Sequence, residues 1–306
     1  VTVAVVGGLA AAVVVRSRSE EPWSTDEDPC GPEGLLLPEG RSFAVTTDDG
    51  AVLEGLVAGP EGADTVVLPH CWTGTKEIWG AVARRLVAEG RRVVLYDQRG
   101  HGKSTLGTGP MTTDRLGEDL LAVLDEVGGE DLVLAGHSMG GMTIQALASN
   151  HPEVIRDRVR GIALVSTACR VWLPPVPPAV LEPFLGERAD AQIARRGLRG
   201  TRGAVGSRPY ESHVQATYDA FAATPGPVRV GFLAGMARMD YRRGLATIGV
   251  PTEIVVGTRD LLTPPSRARE LARLIPGAQL TVLPGRGHML PLEAPAEVTE
   301  RILRLG

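Results

Sequence analysis

Short runs that are apolar on both faces recur along this chain, and they constrain its fold more than any other feature. "TVVLP" (65–69), "RVVLY" (92–96), "GIALVST" (161–167), "TEIVVG" (252–257) and "QLTVL" (279–283) alternate with segments of helical spacing. A strand with one wet face alternates apolar and polar residues. A strand buried on both faces does not, and such strands belong to parallel sheets covered by helices. The cover is supplied by helical patterns over 76–89 (Trp79, Val82, Leu86), through Leu116, Leu120, Leu124 and Val127, over 139–150, near 265–275 and over 293–304. "RSFAVTT" and "AVLEGLVA" flank Asp49-Gly50, a hairpin signal. The expected fold class is α/β, with a mostly parallel central sheet of about eight strands and helices on both faces. No internal repeat is visible.

The interval 170–245 breaks the alternation. It opens with Pro-rich "VWLPPVPPAVLEPFLG", runs through an arginine-rich segment and ends with Phe232, Met236 and Met239 at helical spacing. An insertion of this length between two core strands cannot lie in the sheet, so a helical cap over the strand ends is expected. The main domain is then 41–306.

Residues 1–15, "VTVAVVGGLAAAVVV", are uncharged and largely apolar, and Arg16 and Arg18 follow. A helix of this length reaches only ~22 Å against a hydrocarbon core of ~30 Å. No basic segment precedes it and no clear cleavage site follows, which argues against a secretory signal. The run is read as a membrane anchor, with a β-strand, a buried helix or a misread start as alternatives. As an anchor, with the two arginines behind it, it places the catalytic domain on the cytoplasmic side; without it the protein is soluble and cytoplasmic. Residues 16–40, rich in Ser, Glu, Asp, Pro and Gly, read as a linker.

A formal net charge of -4 offers no basic surplus to neutralise phosphates, so nucleic acid is not an expected partner. Cys30, Cys71 and Cys169 are widely spaced and odd in number, forming neither a metal-ligand cluster nor a disulfide framework. No cofactor is expected.

The chemistry is carried by "LVLAGHSMGGM" (132–142). A strand ends at Ser138 and a helix begins, with Gly136 and Gly140 two positions to either side. Ser138 is either a helix cap or a nucleophile held at a strained strand-to-helix turn, where small neighbours avoid clashes. A serine hydroxyl is a poor nucleophile without a base and an acid to orient that base. Both are available in the chain order such a triad requires: Asp260 in "VVGTRDLLTPP" and His288 in "LPGRGHMLPLE", each just past a strand. The N–H of Met139, at the start of the helix, points to where an oxyanion would form.

From about residue 41 to 306 the sequence resembles the α/β-hydrolase superfamily, in its serine-nucleophile branch. Besides the elbow, "LPHCWTGTKEIW" resembles that family's His-Gly oxyanion loop and "YDQRGHGKS" its loop after the fourth strand. The resemblance implies Ser138 as nucleophile, His288 as general base, Asp260 as the orienting acid (Asp240 as fallback), and the backbone of Trp72 and Met139 as the oxyanion hole. It assigns bracing roles to His70, His101, Asp97 and Arg99. His137 is expected to pack beside the elbow, and His151 and His213 to lie on the surface. Where the family usually has Gly after the loop histidine, this chain has Cys71. Gly tolerates backbone angles that cost a cysteine ~1 kcal/mol or more.

A serine at the elbow excludes the aspartate-nucleophile branches. The expected activity is hydrolysis of a carboxylic ester through an acyl-serine, on a small-molecule ester that is acyl or lipid-like. A haloperoxidase-like perhydrolase or a C–C bond hydrolase uses the same triad, and a non-enzymatic receptor uses the same fold. Trp172, Leu173, Val176, Leu181, Phe184 and Leu185 are read either as an acyl pocket or as ordinary cap core. Arg188, Arg195, Arg196, Arg199, Arg202 and Arg208 are read as a solvated face, with contact to anionic lipid or an acidic substrate as the alternative.

Overall fold

The computed structural model describes residues 22–171 and 176–306, without the side chains of 199 and 200. The apolar run 1–15 and the candidate pocket residues Trp172 and Leu173 lie outside the described residues. Among the described residues, no helix is long and apolar enough to cross a membrane.

Eight strands form one sheet: β1 (Gly40–Thr46), β2 (Val52–Ala58), β3 (Thr65–Pro69), β4 (Arg92–Tyr96), β5 (Leu132–His137), β6 (Val159–Val165), β7 (Thr252–Gly257) and β8 (Gln279–Leu283), in the spatial order β1-β2-β4-β3-β5-β6-β7-β8. β1 and β2 pair antiparallel, as do β2 and β4; every later pairing is parallel. The Asp49-Gly50 turn closes the β1–β2 hairpin as the sequence predicts. Gly50 takes φ 82° there, and the Thr47 hydroxyl donates to Asp49 Oδ1 at 2.6 Å.

Successive strand residues enter opposite cores, which is why the central strands read as continuous apolar runs. Val66, Leu68, Val93, Leu95, Val133 and Ala135 face one helical layer, made by α1 (Gly80–Ala88) and, at the C-terminus, Pro295–Leu303. Val67, Val94, Tyr96, Leu132 and Leu134 face the other, made by α2 (Thr113–Val127), α3 (Met139–Asn150) and the helix Pro265–Leu274. Some boundaries differ from the sequence reading. Residues 76–79 form a 3-10 turn ahead of α1. A short helix, α4 (Pro152–Arg158), starts at a proline. The C-terminal helix divides into Leu290–Glu293 and Pro295–Leu303, because Pro295 supplies no N–H to continue the first.

Between β6 and β7 stands the helical cap: α5 (Pro178–Leu185), α6 (Asp190–Arg196), α7 (Glu211–Ala223) and α8 (Gly226–Met236). Leu181 packs with Val230 and Ala234 of α8, joined by Val176 and Leu185. These candidates therefore sit in the cap's own core, while Phe184 is half exposed. Arg188, Arg195, Arg196 and Arg208 are exposed, but Arg202 is buried, its guanidinium 4.0 Å from the Trp23 ring.

That contact belongs to a segment expected to be linker. Residues 22–39 instead lie against the body. Arg84 Nη2 of α1 donates to Cys30 O and Gly34 O, both at 3.1 Å, and the Cys30 thiol donates to Leu292 O at 3.3 Å. Asp28 Oδ1 lies 2.9 Å from His213 Nε2 of α7, and Tyr210 donates its hydroxyl to Glu27 O. The apolar side chains Trp23, Cys30 and Leu35 join a core cluster with Ile78, Val214 and Leu292, and this burial outweighs the polar composition. His213 is likewise buried, not on the surface.

Candidate active site

Ser138 ends β5 with φ 53° and ψ -113°, outside the regions that non-glycine residues ordinarily occupy. Three bonds hold it there. Its N–H donates to Val165 O at 2.9 Å, and its carbonyl accepts from Thr167 Oγ1 at 2.7 Å and from Met142 N at 3.1 Å. The flanking glycines are required by space: a Cβ on Gly136 would stand 2.4 Å from Gly140 O, and one on Gly140 2.1 Å from Pro69 O. The turn thus presses the elbow against the loop that follows β3.

That loop, 70–74, is held by two histidines in the same manner. His70 Nε2 accepts from Gln98 N at 2.9 Å while its Nδ1–H donates to Cys71 O at 2.7 Å. His101 Nε2 accepts from Thr73 N at 3.2 Å while its Nδ1–H donates to Arg99 O at 3.0 Å. Each ring is a donor on one side and an acceptor on the other, which requires the neutral form. Burial favours that form in both and, together with neighbouring His70, holds His101 down to about 3. Gln98, which the sequence reading did not single out, donates to His70 O at 2.6 Å and accepts from Thr143 of α3 at 2.7 Å. Asp97 is braced by Lys76, and Arg99 by Asp49 and Asp119. Trp72 and Met139 belong to one apolar cluster with Met142 and, from α8, Val228, Phe232 and Met236. Among the described residues, neither the Trp72 N–H nor the Met139 N–H is engaged in a hydrogen bond.

Cys71 adopts no left-handed backbone angle. The residue of this loop that does is Thr73, at φ 57°. The side chain of Cys71 is buried among Ile78, Ala81, Val205 and Met289, and burial pushes its thiol up to about 12. The loop therefore accommodates cysteine without the cost that the sequence suggested, and the thiol is held in its un-ionised, unreactive form.

Asp260 and His288 meet on the far side of the elbow. His288 Nδ1 lies 2.9 Å from Asp260 Oδ2. Asp260 Oδ1 accepts from Leu262 N at 2.9 Å and Thr263 N at 2.8 Å, and Oδ2 accepts from Thr263 Oγ1 at 2.8 Å. Burial alone would raise this carboxyl. The charge of His288 and these hydrogen bonds outweigh it and hold Asp260 below the ordinary carboxylate range. An ionised Asp260 fixes the proton of His288 on Nδ1 and leaves Nε2 as the basic atom. Asp240 is not at this place: it pairs with Arg242 and bridges to Arg170.

His137 packs beside the elbow and also holds His288, its Nε2–H donating to His288 O at 2.8 Å with ring centroids 5.1 Å apart. Among the described residues no hydrogen bond joins Ser138 Oγ to His288 Nε2, a contact that commonly tightens only around substrate. Glu293 was not singled out from the sequence either. Its buried carboxylate accepts from Gly287 N and Gly206 N, both at 2.8 Å, and from Met289 N at 3.0 Å.

Asp28, Cys30 and His213 bring potential cation-binding atoms within 4.8 Å of one another, on the N-terminal segment and α7 rather than at the elbow. Each has a protein partner there: His213 and Ser212 bond to Asp28, and the thiol to Leu292 O.

A parallel sheet carrying a strained serine at the end of β5, and an Asp–His pair from the loops after β7 and β8, defines a class of protein. The chain belongs to the family described as alpha/beta hydrolase fold, whose model matches residues 64–295. It is similar to 3-oxoadipate enol-lactonase 1 of Acinetobacter baylyi, 27% identical over 85% of this chain and 94% of that protein. It is also similar to a bifunctional esterase/perhydrolase of Acinetobacter calcoaceticus, 25% identical over 85% of this chain and 97% of the relative. Among solved structures, a hydrolase from Pseudomonas aeruginosa superposes with a TM-score of 0.73 at 28% identity, covering 87% of this chain and 98% of that one.

Proposed function

We propose that the protein hydrolyses a carboxylic ester through an acyl-serine intermediate, with Ser138 as nucleophile, His288 as general base and Asp260 as the acid that orients it. The observation that carries this reading is the buried 2.9 Å His288–Asp260 contact beside a serine whose strained backbone has no other evident use.

In the first step His288 Nε2 takes the proton of Ser138 Oγ as the oxygen attacks the ester carbonyl. The carbonyl oxygen becomes an oxyanion in reach of the Trp72 and Met139 N–H groups, backbone donors fixed before the reaction begins. One such donor is worth roughly 10²–10³ in rate. The imidazolium, stabilised by Asp260, then protonates the leaving alcohol. Water repeats the sequence on the acyl-serine, with His288 again the base, and releases the acid. The apolar cluster that holds Trp72 and Met139 with α8 suits an acyl chain.

An acyl-serine is also open to hydrogen peroxide, which gives a peracid instead of an acid. The relative named as an esterase/perhydrolase favours testing this as the second reading. A panel of p-nitrophenyl esters of graded chain length, assayed with and without peroxide, distinguishes the two. Ser138→Ala should remove turnover while leaving circular dichroism and melting nearly unchanged, since Ser138 contributes little packing. Retention of most of the wild-type rate in that variant overturns the proposal, and tight binding without turnover in the wild type points to a receptor.

A further inference from the structure

The loop that carries His288 is joined to the cap by a backbone seam. Ser207 N donates to Gly285 O at 2.9 Å, and His288 N donates to Ala204 O at 2.8 Å. Between these two bonds the chains touch at glycines. A Cβ on Gly206 would stand 2.2 Å from Gly285 O, and one on Gly287 2.4 Å from Gly206 N. Neither glycine needs a left-handed backbone here, so both serve to let two main chains approach.

Glu293 closes the seam. One of its oxygens receives Gly206 N from the cap and Gly287 N from the base loop, and the other receives Met289 N. The N–H groups on both sides of His288 therefore end on one carboxylate, which also receives the cap. Adjacent Val205 is fully buried in one apolar cluster with Cys71 of the oxyanion loop and Met289 of the His288 loop. The cap segment 204–207 is thus bonded to the loop carrying His288 and shares a core with the oxyanion loop.

We propose that Glu293 is a positioning residue for His288 and that it works jointly with cap segment 204–207, so that the imidazole is set for proton transfer only while this segment is docked. The inference rests on His288 being the general base of the proposed hydrolysis. Three N–H donors converging on one carboxylate leave it little freedom, and each flanking bond removes a direction in which the His288 backbone could drift. A displacement of about 1 Å at a proton-transferring group costs on the order of 10²-fold in rate.

The seam can be loosened from either side. Glu293→Gln replaces one acceptor oxygen by an NH2 group that faces N–H donors. Gly206→Ala drives a methyl group from the cap into Gly285 O and against Glu293 Oε2, while leaving Glu293 itself a carboxylate. For both variants kcat on a short p-nitrophenyl ester should fall at least tenfold at a temperature where the protein is folded. KM should stay within about threefold, and labelling of Ser138 by a small fluorophosphonate should slow in parallel with kcat. A purely structural Glu293 lowers the melting temperature and leaves kcat of the folded protein alone. If both folded variants keep kcat within twofold, the proposal is overturned.

Wild-type hydrogen exchange decides the coupling even where a variant fails to fold. The amides of Gly206, Gly287, His288 and Met289 should open in one step at a common rate, and independent exchange of the cap and loop amides refutes the joint action. Failure of the hydrolase reading looks different: the wild type then neither turns over esters nor labels at Ser138, whatever the exchange pattern.

Discussion

The Nε2–H of His137 donates to the backbone carbonyl of His288, so the residue before the nucleophile holds the residue that would deprotonate it. This bond spans β5 and the loop after β8, and it fixes the spacing between the two halves of the site by one ring width. Burial, reinforced by the neighbouring His288, holds His137 down to about 3, so the ring stays neutral at ordinary pH and adds no charge beside His288.

Asp260→Asn should lower kcat on p-nitrophenyl esters by roughly 10⁴-fold, because an amide can present its NH2 to His288 and favour the wrong tautomer. Asp240→Asn should remain within about twofold of wild type, since Asp240 is paired with Arg242 near the surface. Parallel steady-state kinetics of the two variants check the assignment, and a large loss at Asp240 with little at Asp260 reverses it.

Cys71→Gly and Cys71→Ser should keep kcat/KM within about tenfold, a barrier change of ~1.4 kcal/mol or less. Glycine relieves no strain here, because Thr73 carries the left-handed angle. It does lose packing against Ile78, Val205 and Met289, so melting should fall in Cys71→Gly while turnover persists. If both variants fall as far as Ser138→Ala, the thiol takes part in the chemistry.

Stability should decline as pH falls from about 7 to 5. His70, His101 and His137 are held below their ordinary value, chiefly by burial, and stay neutral when folded. The unfolded chain protonates them near ~6.5, so acid draws the equilibrium toward the unfolded state, by up to ~1.4 kcal/mol per pH unit for each ring. Glu293, pushed up by burial to about 7, works in the opposite direction over the same interval. His213, also lowered by burial, adds to the loss, and His151, raised chiefly by its bond to Glu118, opposes it; the lowered histidines outnumber the raised groups, so the net change is a loss. Asp260 and Asp97, held below the carboxylate range, add further loss below about pH 4. Guanidinium unfolding at several pH values measures the slope, and a flat or rising stability toward pH 5 contradicts it.

Deleting residues 1–21 should leave ester turnover intact, because the segment that begins near Trp23 retains its contacts. Deleting 1–38 removes Cys30 from its cluster and Asp28 from His213, and should lower the melting temperature by several degrees. Comparing the two truncations by calorimetry separates the packed segment from the apolar run before it. Fractionating the full chain and the shorter deletion with membranes tests the anchor reading: equal partition of the two argues against it.

The strained turn at Ser138 and the contact between Asp260 and His288 were legible because each residue follows an apolar strand and because the elbow imposes glycines at fixed offsets. Glu293 was not, since a carboxylate that accepts backbone N–H bonds leaves no pattern of partner residues in the sequence. The same holds for Gln98. His213 was misread because the partner that draws it inward, Asp28, is 185 residues away in the chain. Residues 22–39 were misread as linker because their composition is dominated by Pro, Gly and acids, and only three or four apolar side chains carry the packing. The eight strands and the cap, by contrast, are set by hydrophobic period and length, which the sequence displays directly.

The two N–H groups that face the oxyanion in this reading belong to the main chain, while the side chains of Trp72 and Met139 pack in the apolar cluster beneath α8. Chemistry and selectivity are thus encoded on different atoms of the same residues. A point mutation at either codon cannot delete a donor unless it introduces proline, but it can repack the apolar cluster around it. Lineages of such a chain are free to drift between acyl groups by exchanging these two side chains, with the reaction inherited unchanged.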